Sequence, residues 1–268
     1  MPELPEVENT RRYLVEAGLP GSIFTGTEIG WAKIVRRPSL EEFVLGLRGS
    51  RVEGVQRRAK YVLLPLDSGA TLVLHLGMTG GLCVQPKSEP GPPMVHHRFA
   101  LDDGRELRFQ DSRKFGKMWL VANVSEVLPP LGPEPLSQDF TPAALAQRLG
   151  ERNVPIKALL LEQSIVAGMG NLYADESLYL AGIHPLRLAS QLSRHEIARL
   201  RDTIVRALTD ALAHYDLGRA DPLQAPPLRL VAWTLPRQVG QPCHRCGRPI
   251  SSLRVRSRST YFCSQCQS

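Results

Sequence analysis

The 268-residue sequence has no run of about 18 consecutive apolar residues, and its N-terminus lacks the charged-then-apolar pattern of an export signal. These two absences argue against a membrane-spanning protein and a secreted precursor, so we expect a soluble, unexported protein. No internal repeat is found. The length suits one large domain or, more typically, two smaller domains that each have their own core.

Acidic residues are absent from one end of the chain. Beyond Asp221 there is no Asp or Glu, whereas seven arginines follow. The formal net charge is +7 and the pI is about 9.4. A basic tail of this kind indicates a phosphate-bearing partner. The alternative is a basic surface that is merely solvated.

Lysine is also scarce, with six lysines against 27 arginines. Unlike arginine, lysine can lose its proton when it is partly desolvated, and both proton transfer and imine chemistry require this. Lys60, in RRAKYVLL, stands where a strand is predicted to begin. It is therefore a candidate for such chemistry, and a solvated lysine at a strand end is the alternative.

Four of the five cysteines form two pairs, Cys243-x-x-Cys246 and Cys263-x-x-Cys266, with sixteen residues between the pairs. This spacing predicts one structural Zn²⁺ held by four thiolates. Two disulfides are the alternative, which a cytosolic compartment disfavours. A short tail has little core of its own, so the metal would supply its folding energy. Cys83 follows an apolar run and is predicted to be a small buried residue.

The hydrophobic period divides the remaining chain. Residues 2–16 predict a helix, and the chain from about Thr25 to Val124 predicts a β-sandwich with Asp103-Gly104 as one hairpin turn. Six segments carry the strand pattern: EIGWAKIV, RVEGVQ, KYVLLPL, TLVLHLGM, RFALDDGRELRF and MWLVANV. The proline-rich LPPLGPEPLS predicts a linker.

After this linker the period is helical. One helix is predicted from Thr141-Pro142 to Gly150, and another begins at Pro155. The capping box Ser193-x-x-Glu196 opens a long amphipathic helix that Gly218 ends. Its apolar positions share one face: Ile197, Leu200, Ile204, Val205, Leu208 and Leu212.

A glycine-containing turn, VAGMGNLYADE, joins two of these helices. With Asn171 as the expected N-cap, the turn offers backbone N–H groups to an anion at the positive end of a helix dipole. Lys157 on the preceding helix adds a positive charge, so the pattern predicts a clamp on a nucleic-acid backbone. A tight turn that needs glycine for steric reasons is the alternative.

The first residues are MPELPEVENTRR, with proline directly after the initiator methionine. A proline here is typical of a helix start. If Met1 is removed, however, Pro2 becomes a terminal secondary amine, which is partly unprotonated and nucleophilic near neutral pH. From these residues alone, a helix start is favoured over a nucleophilic N-terminus.

Together these segments resemble the formamidopyrimidine-DNA glycosylase family, in family order and over nearly the whole chain. The resemblance is carried by MPELPEVE, RRAKYVLL, HLGMTG, QDSRKFG, LGPEPLSQDF, IKALLLEQSIVAGMGNLYADESL, AGIHP and the four-cysteine tail with RSRSTYFC. It implies an α+β protein: an N-terminal β-sandwich flanked by helices, then a helical helix-two-turn-helix domain with a zinc β-hairpin, and DNA in the cleft between the halves. The expected organisation is 1–128 catalytic sandwich, 129–137 linker, 138–220 helix-two-turn-helix, 221–238 altered lesion-loop region and 239–268 zinc hairpin.

The resemblance also implies catalytic roles. Pro2 is the expected nucleophile that attacks C1′ of the damaged nucleotide, with Glu3 as proton donor and Glu6 as its helper. Lys60 matches the lysine assigned to β-elimination, and Arg258 matches the arginine assigned to δ-elimination. Arg258 is also expected to bind phosphate.

An enzyme that excises a base must flip it out of the duplex and fill the gap. By resemblance, Met78, Arg113 and Phe115 fill that gap. Further DNA contacts are expected from another set of side chains: His75, His96, His97, Arg152, Lys157 and Asn171.

The chain departs from the family in three places. Arg113-Lys114 stands where the family usually has Arg-Arg, and Met94 stands where the family has the first histidine of its His-x-His pattern. The family's lesion-capping loop is not recognisable in the segment that contains Pro222, Pro226 and Pro227. A preference for 8-oxoguanine is therefore not predicted.

The sequence thus predicts a bifunctional glycosylase and abasic-site lyase of base-excision repair, acting as a monomer on damaged double-stranded DNA. We expect no membrane partner, and a place in the bacterial cytoplasm with the nucleoid. Three alternatives stay open: a Nei-like preference for oxidised pyrimidines or abasic sites, a noncatalytic binder of damaged DNA, and a zinc-ribbon nucleic-acid-binding module. Only the first retains a use for an amine at Pro2.

Overall fold

The computed structural model describes residues 1–90, 95–218 and 233–268. Met94 and most of the altered lesion-loop region fall outside these ranges. The described residues form two compact units, the first built on Met1–Leu128 and the second on Pro129–Asp216 with residues 233–268. None of the described helices is both long and apolar enough to span a bilayer.

The first unit contains two helices and nine strands. Its helices are α1 (Leu4–Glu16) and α2 (Leu40–Leu47). Its strands are β1 (Phe24–Ile29), β2 (Val35–Arg37), β3 (Gln56–Arg58), β4 (Tyr61–Pro65), β5 (Thr71–His75), β6 (Gly81–Pro86), β7 (Val95–Leu101), β8 (Arg105–Gln110) and β9 (Lys117–Val121).

The strands form two sheets, with orders β1-β7-β8-β6 and β2-β9-β5-β4-β3. Neighbouring strands are antiparallel except β2 and β9, which are parallel. One hydrophobic core contains residues of both sheets and of both helices, such as Phe24, Phe43, Leu74 and Phe99. This shared core makes the unit the predicted β-sandwich flanked by helices.

The long apolar runs in β4 and β5 are explained by burial on both faces of the five-stranded sheet. One face contributes Leu72 and Leu74 to the main core, whereas Leu63 and Val73 belong to a second apolar cluster. Strands buried on both sides are continuously apolar rather than alternating.

Several local predictions for this unit are confirmed and others are wrong. α1 and the Asp103-Gly104 hairpin agree with prediction. EIGWAKIV is not one strand, because β1 ends at Ile29 and a 3₁₀ turn, Ala32–Ile34, precedes β2. Within RVEGVQ, only Gln56 lies in a named strand.

The second unit contains four helices and a β-hairpin. These are α3 (Pro142–Leu149), α4 (Ile156–Leu160), α5 (Asn171–Ala181), α6 (Arg194–Gly218), β10 (Ser251–Val255) and β11 (Arg258–Phe262). The predicted caps are present: the Thr141 hydroxyl accepts from the Ala144 N–H at 3.1 Å, and the Ser193 hydroxyl accepts from the Glu196 N–H at 3.3 Å.

Four described non-glycine residues have positive φ angles: Ala59 (51°), Lys114 (57°), Arg256 (45°) and Ser257 (61°). Side chains of L-residues disfavour this left-handed region. Each of the four lies within two residues of a predicted site residue.

Candidate active site and DNA-binding residues

The N-terminal residues form a buried acidic turn at the start of α1. Pro2 is buried, and Glu3 is the helix N-cap. The Glu3 N–H donates to a carboxylate oxygen of Glu6 at 2.8 Å, and both glutamates are almost fully buried. Met1, by contrast, is 41% exposed. The predicted nucleophile, Pro2, therefore lies at the start of α1, so both interpretations of this proline apply to one turn. Two carboxyl groups, those of Glu3 and Glu6, lie within four residues of Pro2.

Lys60 lies in the two-residue turn between β3 and β4 and is largely buried. The preceding residue, Ala59, has the left-handed conformation, and the Arg57 guanidinium donates to the Ala59 carbonyl at 3.1 Å. Arg57 also forms a salt bridge of 3.0 Å with Glu8 of α1. Arg57 thus joins the helix that follows Pro2 to the hairpin that carries Lys60.

The salt bridge with Arg57 helps to keep Glu8 ionised. Burial alone would raise the pKa of Glu8, but hydrogen bonds and charges of Arg11 and Arg57 outweigh burial and lower it. Glu8 is therefore a carboxylate near neutral pH, and its link to Arg57 is ionic.

His75 ends β5 and is held as a neutral ring. The Gly77 N–H donates to Nδ1 of His75 at 3.2 Å, which leaves Nε2 to carry the proton. Burial, and then the positive charges of Lys60 and Lys117, lower the pKa of His75 to about 4. Near neutral pH this histidine offers one N–H donor, which suits a phosphate oxygen.

The three predicted gap-filling residues lie on two loops. Met78 is half-buried on the loop after β5, while Arg113 and Phe115 are exposed on the loop between β8 and β9. Phe115 is 49% exposed, and the Arg113 guanidinium lies 5.1 Å from the centroid of its ring. A large exposed aromatic side chain paired with a cation is typical of a binding surface.

The two predicted histidine contacts differ in position. His97 is buried, lies beside the Phe109 ring and has its pKa lowered to about 4, first by burial and then by His96. Its position differs from that of a DNA contact, because its ring lies in the core. His96 is half-buried, as expected when successive residues of a strand point to opposite faces.

Lys157 also differs from the prediction of a direct phosphate contact. Its side chain is completely buried, and its ammonium donates to Asp175 at 2.5 Å and to the Thr260 hydroxyl at 2.6 Å. Asp175 additionally accepts from Arg237 at 3.0 Å. Burial raises the pKa of Asp175, and the charges of Lys157 and Arg237 oppose that rise. Lys157 therefore supports the fold behind the surface.

Asn171 is the first residue of α5, and Gly170 is its N-cap, so the predicted cap is wrong by one residue. The Asn171 amide donates to the Ser259 carbonyl at 3.0 Å. Because Ser259 follows Arg258, Asn171 fastens the start of α5 to the strand that carries Arg258.

Arg258 is exposed at the start of β11, directly after the turn residues Arg256 and Ser257. Arg256 pairs with Glu162, which also lies 3.5 Å from Arg152. Arg152 and Arg256 are each about half exposed. These arginines form a basic surface around the hairpin turn.

The four predicted cysteine ligands converge at the base of the β10–β11 hairpin. Their sulfur atoms all lie within 4.8 Å of one another, with separations of 3.9 Å for Cys243 and Cys266 and 3.5 Å for Cys246 and Cys263. Tetrahedral Zn²⁺ with Zn–S bonds of about 2.3 Å places its sulfurs about 3.8 Å apart. The donor set fits zinc in both chemistry and size.

A hydroxyl and an arginine connect this cluster to α5. The Tyr179 hydroxyl lies 3.1 Å from the Cys243 sulfur, and the Arg245 guanidinium lies 4.5 Å from the centroid of the Tyr179 ring. Arg245 also donates to the Tyr179 carbonyl at 2.8 Å. Such outer contacts orient metal ligands.

Comparison with known proteins gives three matches to family models along the chain. Residues 1–118 match the formamidopyrimidine-DNA glycosylase N-terminal domain, residues 131–219 the H2TH domain of the same glycosylase, and residues 240–268 the zinc finger found in FPG and IleRS. The formamidopyrimidine-DNA glycosylase of Herpetosiphon aurantiacus is 45% identical over all of both chains. The chain belongs to the formamidopyrimidine-DNA glycosylase family.

Solved structures agree with this membership. Fpg of Lactococcus lactis in complex with FAPY-dG-containing DNA is 33% identical, covers 99% of both chains and has a TM-score of 0.86. MutM in complex with carbocyclic 8-oxo-G-containing DNA is 32% identical, covers 99% of both chains and has a TM-score of 0.89. The predicted fold class, the glycosylase enzyme class, the role in base-excision repair and the single structural zinc are confirmed.

Three residues that hold predicted site residues of the two units in place were not singled out from the sequence. They are Arg57, Asp111 and Asp175. Each lies inside a motif that carries the family resemblance, two to four residues from a residue that was assigned a role. A buried position cannot be recognised from such a motif, because the partners come from distant parts of the chain.

Proposed function

We propose that this chain excises oxidised or ring-opened bases through Pro2 and then cuts the strand as an abasic-site lyase. The observation that carries the proposal is the buried turn of Pro2, Glu3 and Glu6 at the start of α1, in a chain of this family. Removal of Met1 is part of the proposal, because only a terminal proline has a free amine.

In the first step the Pro2 nitrogen attacks C1′ of the damaged nucleotide, and the bond between C1′ and the base breaks. Glu3 supplies a proton to the departing base or to the opened sugar ring, with Glu6 beside it. The sugar ring then opens: the bond between C1′ and the ring oxygen breaks, and that oxygen takes a proton. This leaves the Pro2 secondary amine joined to C1′ as an iminium ion, which is cationic without needing a proton. The adduct therefore withdraws electrons from the sugar.

That electron withdrawal acidifies the proton on C2′. Loss of this proton releases the 3′-phosphate by β-elimination, and a second elimination releases the 5′-phosphate. We assign Lys60 to the first elimination and Arg258 to the second. The buried position of Lys60 in the turn between β3 and β4 supports its assignment, since a buried lysine, unlike an arginine, is suited to proton transfer and imine chemistry.

The substrate is damaged double-stranded DNA, which the enzyme binds as a monomer. Met78, Arg113 and Phe115 fill the gap left by the flipped base, and His75 and Arg152 contact phosphates. Lys157 and Asn171 act by holding the strand that carries Arg258. As a repair enzyme of bacterial type, it is proposed to work in the cytoplasm with the nucleoid.

Relatives in complex with FAPY-dG or carbocyclic 8-oxo-G DNA favour modified purines as substrates. The proline-rich sequence at Pro222, Pro226 and Pro227 favours a second candidate, a Nei-like preference for oxidised pyrimidines or abasic sites. A noncatalytic binder is disfavoured, since such a protein needs no buried proline–glutamate turn.

Borohydride trapping tests the proposal. Duplexes carrying 8-oxoguanine, formamidopyrimidine, an oxidised pyrimidine or an abasic site are incubated with the protein and reduced. We expect a covalent adduct through Pro2, mass-spectrometric loss of Met1, and much less adduct with Pro2→Gly. Absence of both adduct and nicking across the panel would overturn the enzyme assignment.

A further inference from the structure

The two loops that carry Met78 and Phe115 are joined by one buried carboxylate. We call residues 76–80 the Met78 loop and residues 111–116 the Phe115 loop. Asp111 opens the Phe115 loop directly after β8, and its side chain is only 1% exposed. This carboxyl group therefore lies in the protein interior, at the point where the two loops meet.

Both oxygens of the Asp111 carboxylate accept hydrogen bonds. The Thr79 hydroxyl donates to Oδ1 at 2.6 Å, and the Gly116 N–H donates to Oδ2 at 2.7 Å. The Arg113 N–H also donates to Oδ1, at 3.2 Å. One bond therefore comes from the Met78 loop and two come from the Phe115 loop, so the carboxylate holds them together.

Close packing of the backbones reinforces this link. Gly77 has a φ of +65°, and a Cβ atom there would lie 2.6 Å from the Phe115 carbonyl carbon. Lys114 has a φ of +57°, in the left-handed region. A lysine is held in this region only where neighbouring bonds fix the loop. The bonds of Asp111 to Arg113 and Gly116 span this residue on both sides.

We propose that Asp111 is a positioning residue that presets the Met78 and Phe115 loops as one rigid wedge. This inference rests on the proposed function, in which Met78, Arg113 and Phe115 enter the base stack. A wedge ordered before binding does not lose conformational freedom on entering DNA. Asp111 then speeds the opening of a stacked lesion and does nothing for the chemistry at Pro2.

The test compares two DNAs that differ in stacking. One is a duplex with a central abasic site, and the other is the single strand of the same sequence with the same abasic site, where no stack has to be opened. The rate of borohydride-trapped adduct is measured for both. With Asp111→Asn we expect about a tenfold loss on the duplex, because an amide donor would face an N–H or hydroxyl donor. On the single strand we expect an unchanged rate.

Thr79→Val removes the bond that the Met78 loop donates to Asp111, together with the longer 3.3 Å bond that the Arg113 N–H donates to the Thr79 hydroxyl. Thr79 lies at an exposed position, so this variant keeps the test valid if Asp111→Asn does not fold. Thr79→Ser retains the hydroxyl and should restore the duplex rate. The matched control is Asp102→Asn, which removes a carboxylate that accepts from the Ile23 N–H in the same unit.

Three results would decide against the proposed role. Equal losses on both DNAs would assign Asp111 to folding or chemistry, and unchanged rates on both would remove it from the reaction. A loss with Thr79→Ser as large as with Thr79→Val would show that the hydroxyl bond is not responsible. If wild type forms no adduct with either DNA, the proposed function fails instead.

Discussion

The Lys157 ammonium donates to the Asp175 carboxylate at 2.5 Å, and both side chains are completely excluded from solvent. The same ammonium donates to the Thr260 hydroxyl, which in turn donates to the Arg258 carbonyl at 3.2 Å. A buried ion pair therefore connects α4 and α5 to the start of the strand that carries Arg258.

Lys157→Met should destabilise the protein by about 3–5 kcal/mol, because it leaves a buried carboxylate with one cation fewer. The free energy of unfolding in urea measures this loss. The double variant Lys157→Met/Asp175→Leu should recover part of it. Arg206→Met, at an exposed pair on α6, is the control and should change stability little.

Glu3→Gln should lower the rate of base excision by about 10²–10⁴-fold, since an amide does not supply a proton to the departing base. Gel-based nicking of a lesion duplex measures this rate. Trapping on a preformed abasic site should fall less, because no base leaves there. Glu41→Gln in the first turn of α2 is the control. Equal losses on the two substrates would contradict the role of Glu3 in base departure.

Acid should destabilise the protein through His75. Its folded pKa of about 4 lies below the ordinary value of 6.5, so the unfolded chain binds more protons between these pH values. The contribution of His75 to the free energy of unfolding is fully present above pH 6.5 and is lost as the pH falls towards 4. At pH 5 the expected loss is about 2 kcal/mol.

Urea unfolding of wild type and His75→Gln at pH 7.5 and pH 5 isolates this contribution from other acid effects. The difference between the two proteins should shift by about 2 kcal/mol in favour of the variant at pH 5. His97 has the same sign and is present in both proteins, so it cancels. A pH-independent difference would rule out a buried neutral His75.

Removal of zinc should unfold the β10–β11 hairpin and weaken duplex binding. Metal analysis should give one zinc per chain, and a chelator or Cys263→Ser should release it. Trapping on a single-stranded abasic oligonucleotide should persist, because Pro2 and Lys60 lie in the other unit. Cys83→Ser, outside the ligand cluster, should retain the metal. Full duplex affinity without zinc would contradict this expectation.

Arg258→Ala should weaken binding to all duplexes alike and reduce the slope of log K against log salt by about 0.9, the effect of losing one phosphate contact. Fluorescence anisotropy at several salt concentrations measures both quantities. Arg206→Ala is the matched exposed control. An unchanged slope would remove Arg258 from the phosphate contacts.

Local signals predicted several elements well. α1, α3 and α6 have caps and periodic apolar faces within one short window, and the Asp103-Gly104 turn is equally local. α2 was missed although Ser39 and Glu42 form a capping box, because the surrounding strand pattern dominated the interpretation. β6 was missed because its apolar run is short and lacks alternation.

Burial of the site residues could not be predicted in the same way. Lys157 meets Asp175 18 residues away and Thr260 103 residues away, so no window of sequence reveals that its charge is enclosed. The sequence does not distinguish His97 from its neighbour His96, because only the pairing of the strands decides which of the two rings faces the core. Long-range contacts determined these outcomes.

The four left-handed non-glycine residues have a practical consequence for engineering. Ala59, Lys114, Arg256 and Ser257 each adopt a backbone geometry that glycine or asparagine would adopt more readily. Selection of variants for higher thermostability should therefore favour substitutions at these four positions, which lie beside Lys60, Phe115 and Arg258. The more stable variants obtained in this way should repair DNA more slowly, because the substituted turns hold the adjacent side chains less firmly.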